Sequence, residues 1–275
     1  MKVFLIDNKR CTGCHGCQVG CKDEHCYNDW SPYAKPQPEI GQFWLKLNQY
    51  ERGAVPHVKV SFVPLLCQHC DNAPCMKAAP DAITKRPDGL VLLDSEKAKG
   101  NKKLADACPY GAIYWNEEEQ IPQKCTGCAH LLDRGWPINV PRCVDNCALD
   151  ILQFVEESEA DLTGYEVLHP EYGTKPRVYY RGLPKKFIAG TVYDPVEKEI
   201  IKGATVTLKV KKEDEDEEYG TFDTFTASTD HYGDFWLRDL PDDDFTLTIS
   251  YFGKTKVMDV STKEKDIGLG DIPLS

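Results

Sequence analysis

Thirteen cysteines, all within the first 147 of 275 residues, constrain this chain more than any other feature. They stand at positions 11, 14, 17, 21, 26, 67, 70, 75, 108, 125, 128, 143 and 147, and the last 128 residues contain none. Disulfide scaffolds are usually short and evenly paired. An odd count in a long chain, in tight CxxC steps, instead points to metal ligation in a reducing compartment. The apolar runs of this half are short and broken by Cys, Gly and Pro, so it buries little core for its length and needs coordinate bonds to hold it.

The spacing narrows the metal. Cys11-x2-Cys14-x2-Cys17-x3-Cys21 is the run in which three close thiolates wrap one 4Fe–4S core and the fourth ligates a different one. Gly13 and Gly16 between them allow backbone N–H groups to turn toward sulfur. Cys125-x2-Cys128, then Cys143-x3-Cys147, supply the partners that Cys21 requires. One cluster is therefore expected on Cys11, Cys14, Cys17 and Cys147, and a second on Cys21, Cys125, Cys128 and Cys143. The fourteen residues between Cys128 and Cys143 read as an inserted loop.

The middle group is Cys67-x2-Cys70-x4-Cys75, with Ala79-Pro80 where a fourth cysteine and its proline would stand. Its counterpart is Cys108-Pro109, and the same offsets counted back from Cys108 fall on Leu104, Asn101 and Ala98. The losses are complementary. Ala79 and those three positions would together have held one site, whereas Cys67, Cys70, Cys75 and Cys108 remain for a third cluster. Three 4Fe–4S clusters use twelve cysteines and leave Cys26 over, read as a free structural thiol. His15, His25, His69 and His130 lie beside cysteines and are expected to tune clusters by hydrogen bonding rather than replace a ligand. Structural zinc is the competing reading, but zinc sites pair CxxC units and do not interleave in this way. Tyr110, Tyr114 and Trp115 suit an electron path, although the alternation of Ile113 and Trp115 favours core packing.

The second half differs in charge and period. From Pro184 to Ser275 there are 20 acidic and 12 basic residues, against 24 and 21 before it. Ala204, Val206, Leu208 and Val210 alternate with polar residues, as do Phe245, Leu247, Ile249 and Tyr251. That period reads as half-buried strands, with further strands expected at 187–192, 221–227, 233–237 and 254–260, and hence a β-sandwich. The acidic run Glu213–Glu218 is read as a solvated hairpin loop, with a calcium or partner-docking loop as the functional alternative. The segment 156–183, rich in Gly, Pro and Tyr, reads as a linker. The net charge of −11 argues against phosphate-backbone binding. With no apolar stretch of eighteen residues and no secretory or twin-arginine start, a cytoplasmic location is expected.

The segment Cys67–Ala98 resembles the second ferredoxin motif of the iron–sulfur subunits in the dimethyl-sulfoxide-reductase family of molybdopterin enzymes. Those subunits carry four motifs in two pseudo-twofold pairs, and the likeness covers roughly residues 1–155. It implies an α+β fold, with a duplicated bacterial-ferredoxin-like domain (1–155), the linker (156–183) and an all-β transthyretin-like or collagen-adhesin-type sandwich (184–275). The sandwich likeness is carried by Gly190–Val210 and Thr226–Tyr251. It also implies an electron-transfer subunit without catalytic residues of its own. Its partner would be a large catalytic subunit holding molybdopterin guanine dinucleotide and molybdenum. Cys11, Cys14, Cys17 and Cys147 correspond to the cluster nearest that subunit. The missing cluster is the distal one, so no membrane subunit is expected to dock there. Three clusters plus this sandwich is a combination similar to the small subunits of cytoplasmic, heterodimeric members that transfer hydroxyl groups between phenols. Another molybdenum or tungsten oxidoreductase, or a zinc-stabilised interaction module, are the alternatives.

Overall fold

The computed structural model describes residues 1–211 and 224–275, so the acidic run Glu213–Glu218 and the start of the strand expected at 221–227 lie outside the described residues. The chain divides into two units, Met1–Gln49 with Ser61–Leu183, and Tyr50–Val60 with Pro184–Ser275.

The first unit is built around a four-stranded sheet in the order Leu152–Glu156, Lys2–Asp7, Val178–Arg181, Glu166–Val167. Lys2–Asp7 is central because Val3, Phe4, Leu5 and Ile6 are all buried, a continuous apolar run suited to a strand covered on both faces. It pairs antiparallel with Leu152–Glu156, where Phe4 faces Phe154, and parallel with Val178–Arg181. The stretch 156–183, read above as a linker, thus carries two strands of this sheet. Its composition concealed them because the strands are only two and four residues long. Arg177 is one reason the stretch is ordered. Its buried guanidinium bonds the Lys2 carbonyl, Asp71 and Glu157.

The rest of the first unit is short elements joined by cysteine-bearing loops. Gly16–His25 is the longest helix, and Pro74–Ala78, Ala129–Asp133 and Arg142–Asp145 are single turns. Two small hairpins, Ile83–Lys85 with Val91–Leu93 and Ile113–Asn116 with Ile121–Lys124, complete it. Helices this short are not stable alone, so the loops around the cysteines depend on what the thiols bind.

The second unit is a sandwich. One sheet has Lys186–Asp194 between Asp234–Leu240 and, parallel to it, Ile267–Pro273, with Glu199–Ile200 also paired to it. The other runs Thr224–Ser228, Thr205–Val210, Asp244–Tyr251, Lys254–Ser261, all antiparallel. Val206, Leu208, Phe245, Leu247 and Ile249 are fully buried, as the alternation requires, and meet Ile188, Val192, Phe235 and Leu237 from the other sheet. The unit also includes Tyr50–Val60, the tip of a hairpin formed by Leu45–Ala54 and His57–Leu66. There Arg52 bonds Asp266 at 3.0 Å, and His57 lies 3.3 Å from Asp234.

Candidate metal centres

Twelve of the thirteen cysteines gather in three places. Cys11, Cys14, Cys17 and Cys147 line one small hollow, walled by Leu47, Leu149 and Ile151. Cys11 ends the short turn Asn8–Arg10, Cys17 lies in the first turn of Gly16–His25, and Cys147 follows Arg142–Asp145. Gly13 makes the approach possible. It has φ +73°, its N–H bonds the Cys11 sulfur, and a Cβ there would lie 2.4 Å from the Phe62 ring. Burial pushes the Cys17 thiol up to about 12, and repulsion from Cys147, Cys11 and Cys14 adds to it.

Cys21, Cys125, Cys128 and Cys143 form the second place, and all four are buried. Burial holds Cys21 and Cys143 far above the ordinary thiol range, and each is raised further by its neighbours in this set. Burial likewise lifts Cys125 to about 11 and Cys128 further. Backbone N–H groups are aimed at the sulfurs, from Gly127 to Cys125 at 3.3 Å and from Arg142 to Cys128 at 3.4 Å.

The third place is a small hollow lined by Cys67, Cys70, Cys75 and Cys108. Cys75 sits in the turn Pro74–Ala78, and Cys108 follows the 3-10 turn Lys102–Ala107. N–H groups of Ala112 and Tyr110 point at Cys108, and the Thr174 hydroxyl at Cys70. Burial drives Cys70 to about 12 and Cys75 to about 11.

Cys14 is exposed and Cys11, Cys108 and Cys147 are half-buried, whereas the other eight thiols are buried; close-set thiols of this kind are costly as thiolates unless a cationic core lies among them. Among the described residues, no group of three or more His, Cys, Asp or Glu is placed to hold a single metal ion. Four thiols set together, with N–H groups directed at the sulfurs and, in the first and third sets, an apolar hollow between them, fit a polynuclear iron–sulfur core.

The histidines separate. His15 is exposed, beside the first set. His25 lies 3.8 Å from the Cys128 sulfur, and burial holds it neutral, at about 3. His69 accepts the Val91 N–H on Nδ1, so its proton sits on Nε2, 3.9 Å from the Cys125 sulfur. His130 reaches no sulfur. It bonds Glu24, which also pairs with Arg142, and Trp30 stacks on its ring. Cys26 is half-buried and outside all three sets, at a bridge to Gln37. Tyr110 and Ile113 are core residues, and Tyr114 packs against them.

Sequence reasoning missed Lys124. Its ammonium is buried and lies 3.5 Å from the Cys67 sulfur. Its position directly before Cys125 was the available signal. Of the residues expected at a fourth, missing site, Ala79, Ala98 and Leu104 are buried in the apolar core, where Pro74–Ala78 packs against Lys102–Ala107. Asn101 is exposed.

Residues 58–157 match the family model of the 4Fe-4S dicluster domain, and residues 188–268 that of the carboxypeptidase regulatory-like domain. The chain is 38% identical to the pyrogallol hydroxytransferase small subunit of Pelobacter acidigallici, over 98% of both chains. It is 34% identical to a tetrathionate reductase subunit of Salmonella typhimurium, over 68% of this sequence and 74% of that one. It is 33% identical to a component of the anaerobic dimethyl sulfoxide reductase of Escherichia coli, over 64% and 85%. Among the described residues no helix is long and apolar enough to cross a membrane.

Proposed function

Since this protein belongs to the iron–sulfur subunits of the dimethyl-sulfoxide-reductase family of molybdopterin enzymes, we propose that it is the small, cluster-bearing subunit of a soluble enzyme that transfers hydroxyl groups between phenols. The likeness to the hydroxytransferase small subunit spans both units, whereas those to the two reductase components cover about two thirds of this sequence. Its partner is a large subunit holding molybdopterin guanine dinucleotide with molybdenum, and the complex is cytoplasmic.

In this reading the ferredoxin-like part is duplicated, with the first cysteine run paired to the last and the two middle runs to each other. Cys11, Cys14, Cys17 and Cys147 hold one 4Fe–4S cluster, Cys21, Cys125, Cys128 and Cys143 a second, and Cys67, Cys70, Cys75 and Cys108 a third. The observation that carries the reading is the completeness of those three quartets beside a fourth position filled by Ala79, Ala98 and Leu104. Bound clusters supply one-electron storage and transfer. The chain's own residues bury them, direct N–H groups at their sulfurs and exclude water. No residue here performs bond chemistry on the substrate.

The test is isolation of the chain with whatever accompanies it. The expected result is a large molybdopterin-containing partner, about twelve iron and twelve sulfide per chain, and phenol transhydroxylation without an external electron acceptor. Activity appearing only with an added acceptor favours a different molybdenum or tungsten oxidoreductase. Stoichiometric zinc without visible absorption overturns the reading.

A further inference from the structure

Lys124 is an unusual cation. It closes the strand Ile121–Lys124, is 2% exposed, and forms no ion pair with a carboxylate among the described residues. Its ammonium instead bonds the carbonyls of Val91 and Cys125, the latter at 3.0 Å, and sits 3.5 Å from the Cys67 sulfur. It acts electrostatically on Cys75, Cys108 and Cys125, and on His69. Cys67, Cys75 and Cys108 belong to one thiol quartet and Cys125 to another. The side chain therefore stands where two quartets meet. The Cys67 N–H also bonds the Cys125 sulfur, which joins the same two sets.

A buried charge needs a compensating one close by. Two carbonyl dipoles solvate an ammonium but do not neutralise it. The negative charge within reach is that of the thiolates and of the clusters they would hold. A 4Fe–4S core in its oxidised form carries two positive charges against four thiolates, and reduction adds one more negative charge. A fixed cation beside such a site stabilises the reduced form more than the oxidised one. His69 accepts the Val91 N–H on Nδ1 and presents its other nitrogen to Cys125, in the other quartet.

We propose that Lys124 is a positioning residue for electrons. Its charge raises the reduction potential of the cluster on Cys67, Cys70, Cys75 and Cys108, so that an electron entering the chain resides there in preference to the cluster on Cys11, Cys14, Cys17 and Cys147. This rests on the three-cluster reading above, and the experiment separates the two.

The holo complex is prepared with Lys124→Met, Lys124→Gln and Lys124→Arg, and iron content and the reduced fraction of each cluster are followed by paramagnetic resonance during redox titration. In both uncharged variants, at the potential where the native cluster is half reduced, the reduced-to-oxidised ratio of the Cys67 cluster should fall at least tenfold. For a one-electron couple that is a shift of about 59 mV. The Cys11 cluster should move less than threefold, and Lys124→Arg should stay within threefold of native. Full iron content with unchanged ratios in both uncharged variants overturns the proposal, since a purely structural tie would affect stability and not potential. Equal shifts at all clusters also overturn it, as does a Lys124→Arg variant that shifts as far as Lys124→Met. Should both uncharged variants lack the cluster while Lys124→Arg retains it, the charge serves assembly alone and the proposal fails. Native protein without iron would instead refute the three-cluster reading itself.

Discussion

Replacing Cys108 with alanine tests the pairing of cysteines most directly. Cys108 reaches its quartet from the end of Lys102–Ala107, whereas Cys67, Cys70 and Cys75 come from one continuous stretch. Its loss leaves three thiols on one segment and, in the proposed pairing, cuts a metal tie from them to the segment that leads into the second hairpin. Two magnitudes follow. Iron should fall from about twelve toward about eight per chain, because one four-thiolate site loses an anchor and two keep theirs. The tie also closes the span from Cys75 to Cys108, about 33 residues. Loop-closure entropy applied to that length gives about 3.7 kcal/mol lost from the folded state. In a unit of this size that lowers the melting midpoint by roughly 7–14 °C. The assay is iron and sulfide analysis with low-temperature paramagnetic resonance, run beside Cys14→Ala. The two variants should each lose a different spectral component, and the double variant should keep about four irons. Loss of the same component in both refutes the quartets. Native iron near sixteen refutes the vacancy at Ala79, Ala98, Asn101 and Leu104.

Three further outcomes are expected. Thr229 is buried in the sandwich, where its hydroxyl bonds the Ile201 carbonyl at 2.6 Å and accepts the Ala204 N–H at 2.9 Å. Thr229→Val strands both backbone groups and should cost about 1–3 kcal/mol in urea unfolding with no change in iron. A Cβ on Gly20 would lie 1.7 Å from Asn146 Nδ2, so Gly20→Ala should destabilise by about 1–3 kcal/mol. Adding Asn146→Ala, which removes that atom, should restore part of the loss, and a strictly additive double variant argues against the contact. Asp133 is held at about 2, chiefly by hydrogen bonds from Arg86 and with help from the Tyr33 hydroxyl. A depressed carboxylate stabilises fully above its ordinary value of 3.8 and loses that contribution as pH falls toward 2. The stability gap between native protein and Asp133→Asn should thus be flat above about pH 5 and close between about pH 4 and 2. A gap that widens on acidification contradicts the assignment.

What the chain revealed before its structure followed from period and spacing. The sandwich strands were legible because Val206, Leu208, Phe245, Leu247 and Ile249 must all point one way, and a one-residue slip would expose every one of them. The run from Cys11 to Cys21 offered a pattern in which the fourth cysteine serves another site, and the structure places the twelve thiols in three groups that follow it. Other features had no such local signature. Glu166–Val167 is too short to show alternation, and Val178–Arg181 pairs parallel with a strand more than 170 residues earlier. The inclusion of Tyr50–Val60 in the second unit rests on Arg52 and His57 meeting Asp266 and Asp234, which are far away in the chain. For Lys124 the one local signal was its place directly before Cys125; its burial is set by surroundings that the sequence does not show.

On the three-cluster reading, a fourth site would have been lost as a whole, and the reason is physical. Losing one of four thiolates leaves three that still raise one another and still cost desolvation, with less metal to compensate them. A half-site is thus worse than none. Removing the remaining ligands relieves that penalty, and the space then gains by filling with apolar atoms. That is the state seen here, in which Ala79, Ala98 and Leu104 are core residues. Asn101 escapes the same fate because it sits at the exposed start of Lys102–Ala107, where a polar side chain costs nothing. The same reasoning applies in reverse to Lys124. Neutralising thiolates nearby would leave its ammonium buried without a counter-charge, so that cation and the quartet around Cys67 are expected to persist or disappear together.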